Sequence, residues 1–346
     1  MTASLLHEAT SPDPDHMAQG SVLHSLFQLA DEGRYQRSLL GRRIAYAVFP
    51  DVFDYQDYHQ DELFLRPELF SLKAQPAKLA ELQQLLTEPP AHIANYSQSI
   101  GDNALTLLSV DHFGFETILT PKQQDLSPPL SAMKRALARL AKYHPSLYNG
   151  LLANCQYCCF FRDEMQNSFA HDLFPAITFI NSHYSSTVIA LLEDFVHQAS
   201  HCLFSEIETA QDFTYKIPPH TPIAALIDGP SNERSLQILH HSLFTLSTSL
   251  LALNAIADET LSENERQEKK ARLGFLARKF MIDHNYYTQI DIIQQPIGNL
   301  IQRFFHVALE LATKVNQSTQ GFNYNNQPYN FVFEIFLNEN PQLETR

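Results

Sequence analysis

LLEDFVHQASHCLFSEIE, residues 191–208, sets His197 and His201 four positions apart inside an apolar run. Leu191, Leu192, Phe195, Val196, Leu203, Phe204 and Ile207 supply the surface of a buried helix. Ser185, Ser186 or Thr187 is placed to cap its start. On a helix, residues i and i+4 project from one face, so two imidazoles at this spacing can close on one metal ion. The spacing is that of the zinc-peptidase HExxH motif, except that Gln198 stands where the catalytic glutamate belongs. An amide has no basic oxygen to take a proton from a metal-bound water, so peptidase chemistry is not expected. Gln198 is placed instead to hydrogen-bond a ligand or nearby backbone. A metal-free reading stands beside this one, because most buried histidines are satisfied by hydrogen bonds and the chain has 16 His in all.

Two histidines do not complete a metal site. Glu208 is two turns beyond His201, roughly 10 Å along the axis, too far to share an ion. Glu206 is expected to turn to the opposite side of the helix. After the irregular, proline-rich stretch 213–230 comes a long helix, from about residue 231 to 257, containing LQILHHSLFTL. Leu236, Leu239, Leu243, Leu246 and Leu250 form its inward stripe; His240 falls within that stripe and His241 outside it. An imidazole turned inward needs a polar partner, which makes His240 the expected third ligand. Three neutral nitrogens suit zinc, iron or copper.

Working outward, FPAITFIN at 174–181 is rich in β-branched and aromatic residues and is expected as a strand feeding the histidine helix. Helical patterning recurs over 21–30, 76–88, 128–144, in a segment ending near His284, and over 296–315. A hairpin is expected around Asp111–Gly114, a strand-like YNFVFEIF lies at 329–336, and PDVFDYQDYHQDE at 50–62 reads as an acidic aromatic loop. The fold class expected is mainly α with a minor β-sheet (α+β), built on a helical metal-binding core. Residues 1–170 form an N-terminal region expected to meet substrate, and 171–346 the metal-binding helical region, the two packed as one unit.

With 44% hydrophobic residues, 11% aromatics and no Trp, the 346-residue chain has the makings of a large folded core. Its formal charge of −14 argues against sequence-independent nucleic-acid binding. No basic-then-apolar leader opens the chain and no membrane association is expected. Four cysteines without framework spacing fit a reducing compartment, so a cytoplasmic protein is expected. Cys155, Cys158 and Cys159 lack the second CxxC of a four-thiolate site, and they and Cys202 read as packing residues. His183 and His220 read as loop histidines, Arg42 and Arg43 as balancing the acidic loop, and Arg303 with His306 as candidates for a supporting role around the metal.

A strand ending in Asn181, a Ser-rich turn, FVHQASHCLF, a Pro-rich stretch and the helix NERSLQILHHSLF together resemble the 2-oxoglutarate-dependent, HExxH-type peptide β-hydroxylases. The match covers roughly residues 175–255. The resemblance implies a non-haem iron(II) oxygenase whose motif histidines bind iron, roles that fall here on His197, His201 and His240. It makes Arg234 the candidate for holding a 2-oxoglutarate carboxylate through bidentate hydrogen bonds. The implied substrate is a peptide or an amino-acid-like side chain. Gln198 departs from the family motif, but an oxygenase needs no general base there, because iron and co-substrate carry the chemistry. Two other functions compete with this one: a metal-free binding or scaffold protein, and a zinc hydrolase with an atypical base.

Overall fold

A computed structural model describes residues 14–48, 127–155, 157–162, 167–171, 174–183, 185–227 and 233–343. The expected acidic loop, the helix over 76–88, the hairpin around 111–114 and the side chains of Arg42, Arg43 and Cys159 lie outside the described residues. In chain order the elements are α1 (Pro14–Val48), α2 (Ser127–Tyr143), α3 (Pro145–Asn154), β1 (Tyr157–Phe161), β2 (Phe169–His171), β3 (Phe174–Asn181), α4 (Val188–Thr209), α5 (Leu236–Ala255), α6 (Glu263–Tyr287), α7 (Ile297–Ser318) and α8 (Phe333–Glu339). Helix dominates and the sheet is small, an α+β arrangement.

Helix α4 is the axle. The Thr187 hydroxyl accepts the Ala190 amide and caps its start. Phe195, Phe204, Leu191 and Leu192 are fully buried along it, each contributing about 1.5–3 kcal/mol of apolar burial. Around α4 pack α1, α2, α3, α5, β2 and β3. A single apolar cluster runs from Val22 of α1 to Val315 of α7. Helix α1 approaches α4 closely at Gly33, where an added Cβ would lie 1.6 Å from the Glu206 carbonyl oxygen. That contact seats Arg37, one turn on, against the Glu206 carboxylate at 2.8 Å.

The sheet has order β1-β3-β2, with β1 parallel and β2 antiparallel to β3. Its register shifts between Ala170 and His171, and Ala176 on the facing strand takes φ +61° to absorb the irregularity. Strand β3 ends at Asn181, whose Oδ1 accepts the His183 amide and turns the chain toward α4.

Two elements differ from the sequence-based expectation. The short helix over 21–30 is part of the 35-residue α1. Tyr329–Phe336 is not a strand: its second half is α8, and Phe331 and Phe336 pack with Tyr324 and Phe275 in a small aromatic cluster. Among the described residues, α5 has the length and hydropathy of a membrane-crossing helix, but 78% of that apolar window is buried inside the protein.

Candidate functional site

His197 and His201 project from one face of α4, their rings edge to face with centroids 5.1 Å apart. Across from them α5 presents His241. Its ring stacks on His201 at 5.4 Å, and the two Nδ1 atoms are 3.2 Å apart. The structure therefore brings His241, and not His240, to the motif pair. His240 is fully buried, ringed by Phe204, Phe213, Tyr215, Tyr287 and Phe305. The leucine stripe does face inward, with all five leucines buried. Inward here means the apolar core; the site lies at the stripe's edge, about 100° around the helix, where solvent can enter.

Glu208 ties the arrangement together. Its Oε2 accepts from His241 Nε2 at 2.8 Å, and its Oε1 accepts the Tyr215 hydroxyl. With Nε2 directed to the carboxylate, the His241 ring turns Nδ1 toward His201. Tyr215 has spent its only proton on Glu208, so its oxygen accepts from His240 Nδ1 at 3.3 Å. That leaves His240 Nε2 buried with no hydrogen-bond partner among the described residues. Glu208 is thus no direct ligand candidate, but it reaches across to α5 and orients one. Nor does Glu206 turn away from the site: it lies at the cavity edge, paired with Arg37.

Burial holds the His197 imidazole down to about 3, helped by the Lys279 ammonium. Burial, then His197 and His241, hold His201 well below the ordinary histidine range. Both rings are therefore neutral donors at pH 7. Two nitrogens sharing one first-row ion at about 2.1 Å each stand roughly 3–3.4 Å apart, the spacing seen between His201 and His241. Among the described residues no three His, Cys, Asp or Glu side chains are already arranged to hold an ion. His201 and His241 face each other as hydrogen-bond partners instead. The chemistry of the donors fits a borderline transition metal, with neutral nitrogens from two helices and a carboxylate behind one of them.

Two chambers flank this histidine pair and share His197, His201, Ala170 and Tyr329 as their common wall. The larger, about 330 Å³, is lined also by Arg37, Arg234, Gln237, Ile238 and His241. The smaller, about 170 Å³, contains Gln198, Asp194, Glu193, Arg272 and Lys279. Gln198 donates to the Ser168 carbonyl at 3.2 Å, pinning the segment before β2 to the histidine helix. Arg234 lines the larger chamber, but two of its guanidinium nitrogens face Asp283 at 2.6 and 3.1 Å, so the bidentate fork is already engaged.

Other residues fall elsewhere. Arg303 and His306 are exposed on α7, and neither lines either chamber. His220 is exposed in a turn and His183 half-buried beside Asn181. Cys155 and Cys158 are buried thiols; burial, with Cys202 nearby, pushes the Cys155 thiol well up, as befits packing rather than reactivity. Cys202 donates toward the Ile177 carbonyl at 3.5 Å.

No protein-family model matches the chain, and no curated protein matches it.

Proposed function

We propose that this protein is a non-haem iron(II) oxygenase that uses 2-oxoglutarate to hydroxylate a carbon of a peptide or amino-acid side chain, with His197, His201 and His241 as the iron-holding residues. The observation that carries the reading is that His197 and His201 share one face of α4 and His201 meets His241 of α5 beside the larger chamber, with Glu208 accepting from His241 Nε2. Bound iron, with the 2-oxo acid and dioxygen, supplies the oxidising chemistry. The chain's own residues do the rest. His241 is oriented by Glu208, which Tyr215 holds in turn, and loss of such outer partners typically weakens metal binding 10–100-fold. Gln198, an amide tied to backbone, leaves no carboxylate at the general-base position of a hydrolase. The larger chamber opens past Ile238 and Tyr329, which are 54% and 70% exposed, so an apolar side chain carried on a larger molecule has a surface to rest on before entering.

Purified protein loaded anaerobically with iron(II) and given dioxygen tests this reading. Conversion of 2-oxoglutarate to succinate, abolished in His241→Ala, is the expected result. Zinc is the alternative metal and should occupy the same histidines without turnover. Iron-loaded protein that leaves 2-oxoglutarate intact, in the presence and absence of short peptides, would overturn the assignment.

A further inference from the structure

Besides His197, His201 and Tyr329, the smaller chamber is lined by Glu193, Asp194, Arg272 and Lys279, and the first three of these have close polar partners. Arg272 lies between Glu193 and Glu268, 2.8 Å from each. Asp194 accepts the Ser168 and Ser185 hydroxyls at 2.5 and 2.7 Å. Lys279 is the exception. Its ammonium donates one hydrogen bond, to the Tyr329 carbonyl at 3.3 Å, and lies over the Tyr329 and Phe275 rings at 4.2 and 5.3 Å. Among the described residues no carboxylate lies within ion-pair distance of it. Among the described residues two of its three N–H donors are open, and burial pulls the ammonium below its ordinary range against the opposing influence of the Glu193 and Asp283 carboxylates. An ammonium with open N–H donors in a recess is costly unless an acceptor arrives. The adjoining walls, Leu246, Leu276, Phe275 and Phe331, are apolar, which suits an anion carrying hydrocarbon better than a bare inorganic ion.

We propose that the smaller chamber is a binding site for a short-chain carboxylate, anchored by the Lys279 ammonium. This deepens the functional reading above, whose 2-oxo acid belongs to that chemical class, but the anchor needs no metal. It also moves the carboxylate contact from Arg234, already engaged by Asp283, to the neighbouring Lys279, which lines the smaller chamber. Glutarate is the probe, titrated into full-length protein in excess chelator by calorimetry, with its neutral diamide and inorganic phosphate alongside.

Saturable glutarate binding, absent with the diamide, is expected. Lys279→Met should weaken it about ten- to a hundredfold, the size of a lost charge-assisted hydrogen bond. Lys279→Arg, which keeps the charge and guards against a folding artefact, should retain a measurable part. Equal glutarate affinity in wild type and Lys279→Met, or no binding to the folded wild type, would overturn the site. Phosphate binding as tightly as glutarate would overturn the carboxylate assignment. Because the titration is metal-free, glutarate binding without iron-dependent turnover would sink the oxygenase reading while leaving this site standing. Turnover without Lys279-dependent binding would do the reverse.

Discussion

Replacing His240 by Leu is expected to leave stability nearly unchanged, an unusual outcome for a fully buried residue. Large-to-small changes in a core generally cost about 2–5 kcal/mol. At His240 the terms oppose one another. The wild-type ring keeps Nε2 buried and unpartnered, which is worth about 1–3 kcal/mol of relief once the nitrogen is gone. Against this stands the 3.3 Å bond to Tyr215, about 0.5–1.5 kcal/mol. Edge-to-face contacts with Phe204 and Phe305 add a comparable amount. Leucine fills similar space, so the sum is centred near zero and lies within about 2 kcal/mol of it. Tyr215 keeps Glu208, so His241 stays oriented and iron affinity should not move. Urea denaturation followed by circular dichroism gives the first quantity and iron titration the second. A loss above about 3 kcal/mol, or a tenfold fall in iron affinity, would mean that Nε2 has a partner in the working protein.

Two further outcomes follow from the same geometry. Burial depresses the folded-state pKa values of His197, His201 and His240 below the unfolded value near 6.5, so the unfolded chain binds the extra protons first. Their stabilising contribution is full above that value and is lost as pH falls, by at most about 1.4 kcal/mol per histidine per pH unit. Asp194, raised to about 6, acts in the opposite sense as pH rises through its window and offsets only one of the three. In excess chelator the urea midpoint should fall between about pH 7 and about pH 5, and an unchanged midpoint would contradict the buried neutral assignment. Glu208→Gln keeps an oxygen toward His241 but removes the charge; metal affinity should drop about 10–100-fold with the fold intact. Affinity equal to wild type in a metal titration would show that Glu208 does not orient a ligand.

The central helix was legible because its signals agree: a hydroxyl cap, an apolar face and two histidines at helical spacing. For a physical reason it is His241, and not the expected His240, that comes beside His201. The leucine stripe on α5 identifies the inward face correctly, but the deepest position is the driest, whereas a reactive site needs an entrance; His241, at the stripe's edge, has one. Distance along its own helix excludes Glu208, and nothing local in the sequence shows that it reaches α5. Lys279 is invisible for a similar reason. In a stretch reading ARKF it looks like a solvated lysine, and only the packing of Tyr329 and Phe275 around it makes it an ammonium with open donors beside a cavity. At 329–336 the aromatic residues that suggested a strand were selected for a tertiary cluster, which overrode local propensity.

Metal binding by the two α5 histidine variants tests the central claim most directly. Wild type, His240→Ala and His241→Ala, each confirmed folded, would be stripped with chelator and titrated anaerobically with iron(II). The result predicted is one iron per chain in wild type and His240→Ala, with affinity sharply reduced in His241→Ala. Loss of binding in His240→Ala with His241→Ala unaffected would contradict the account, as would a wild-type protein that takes up no iron.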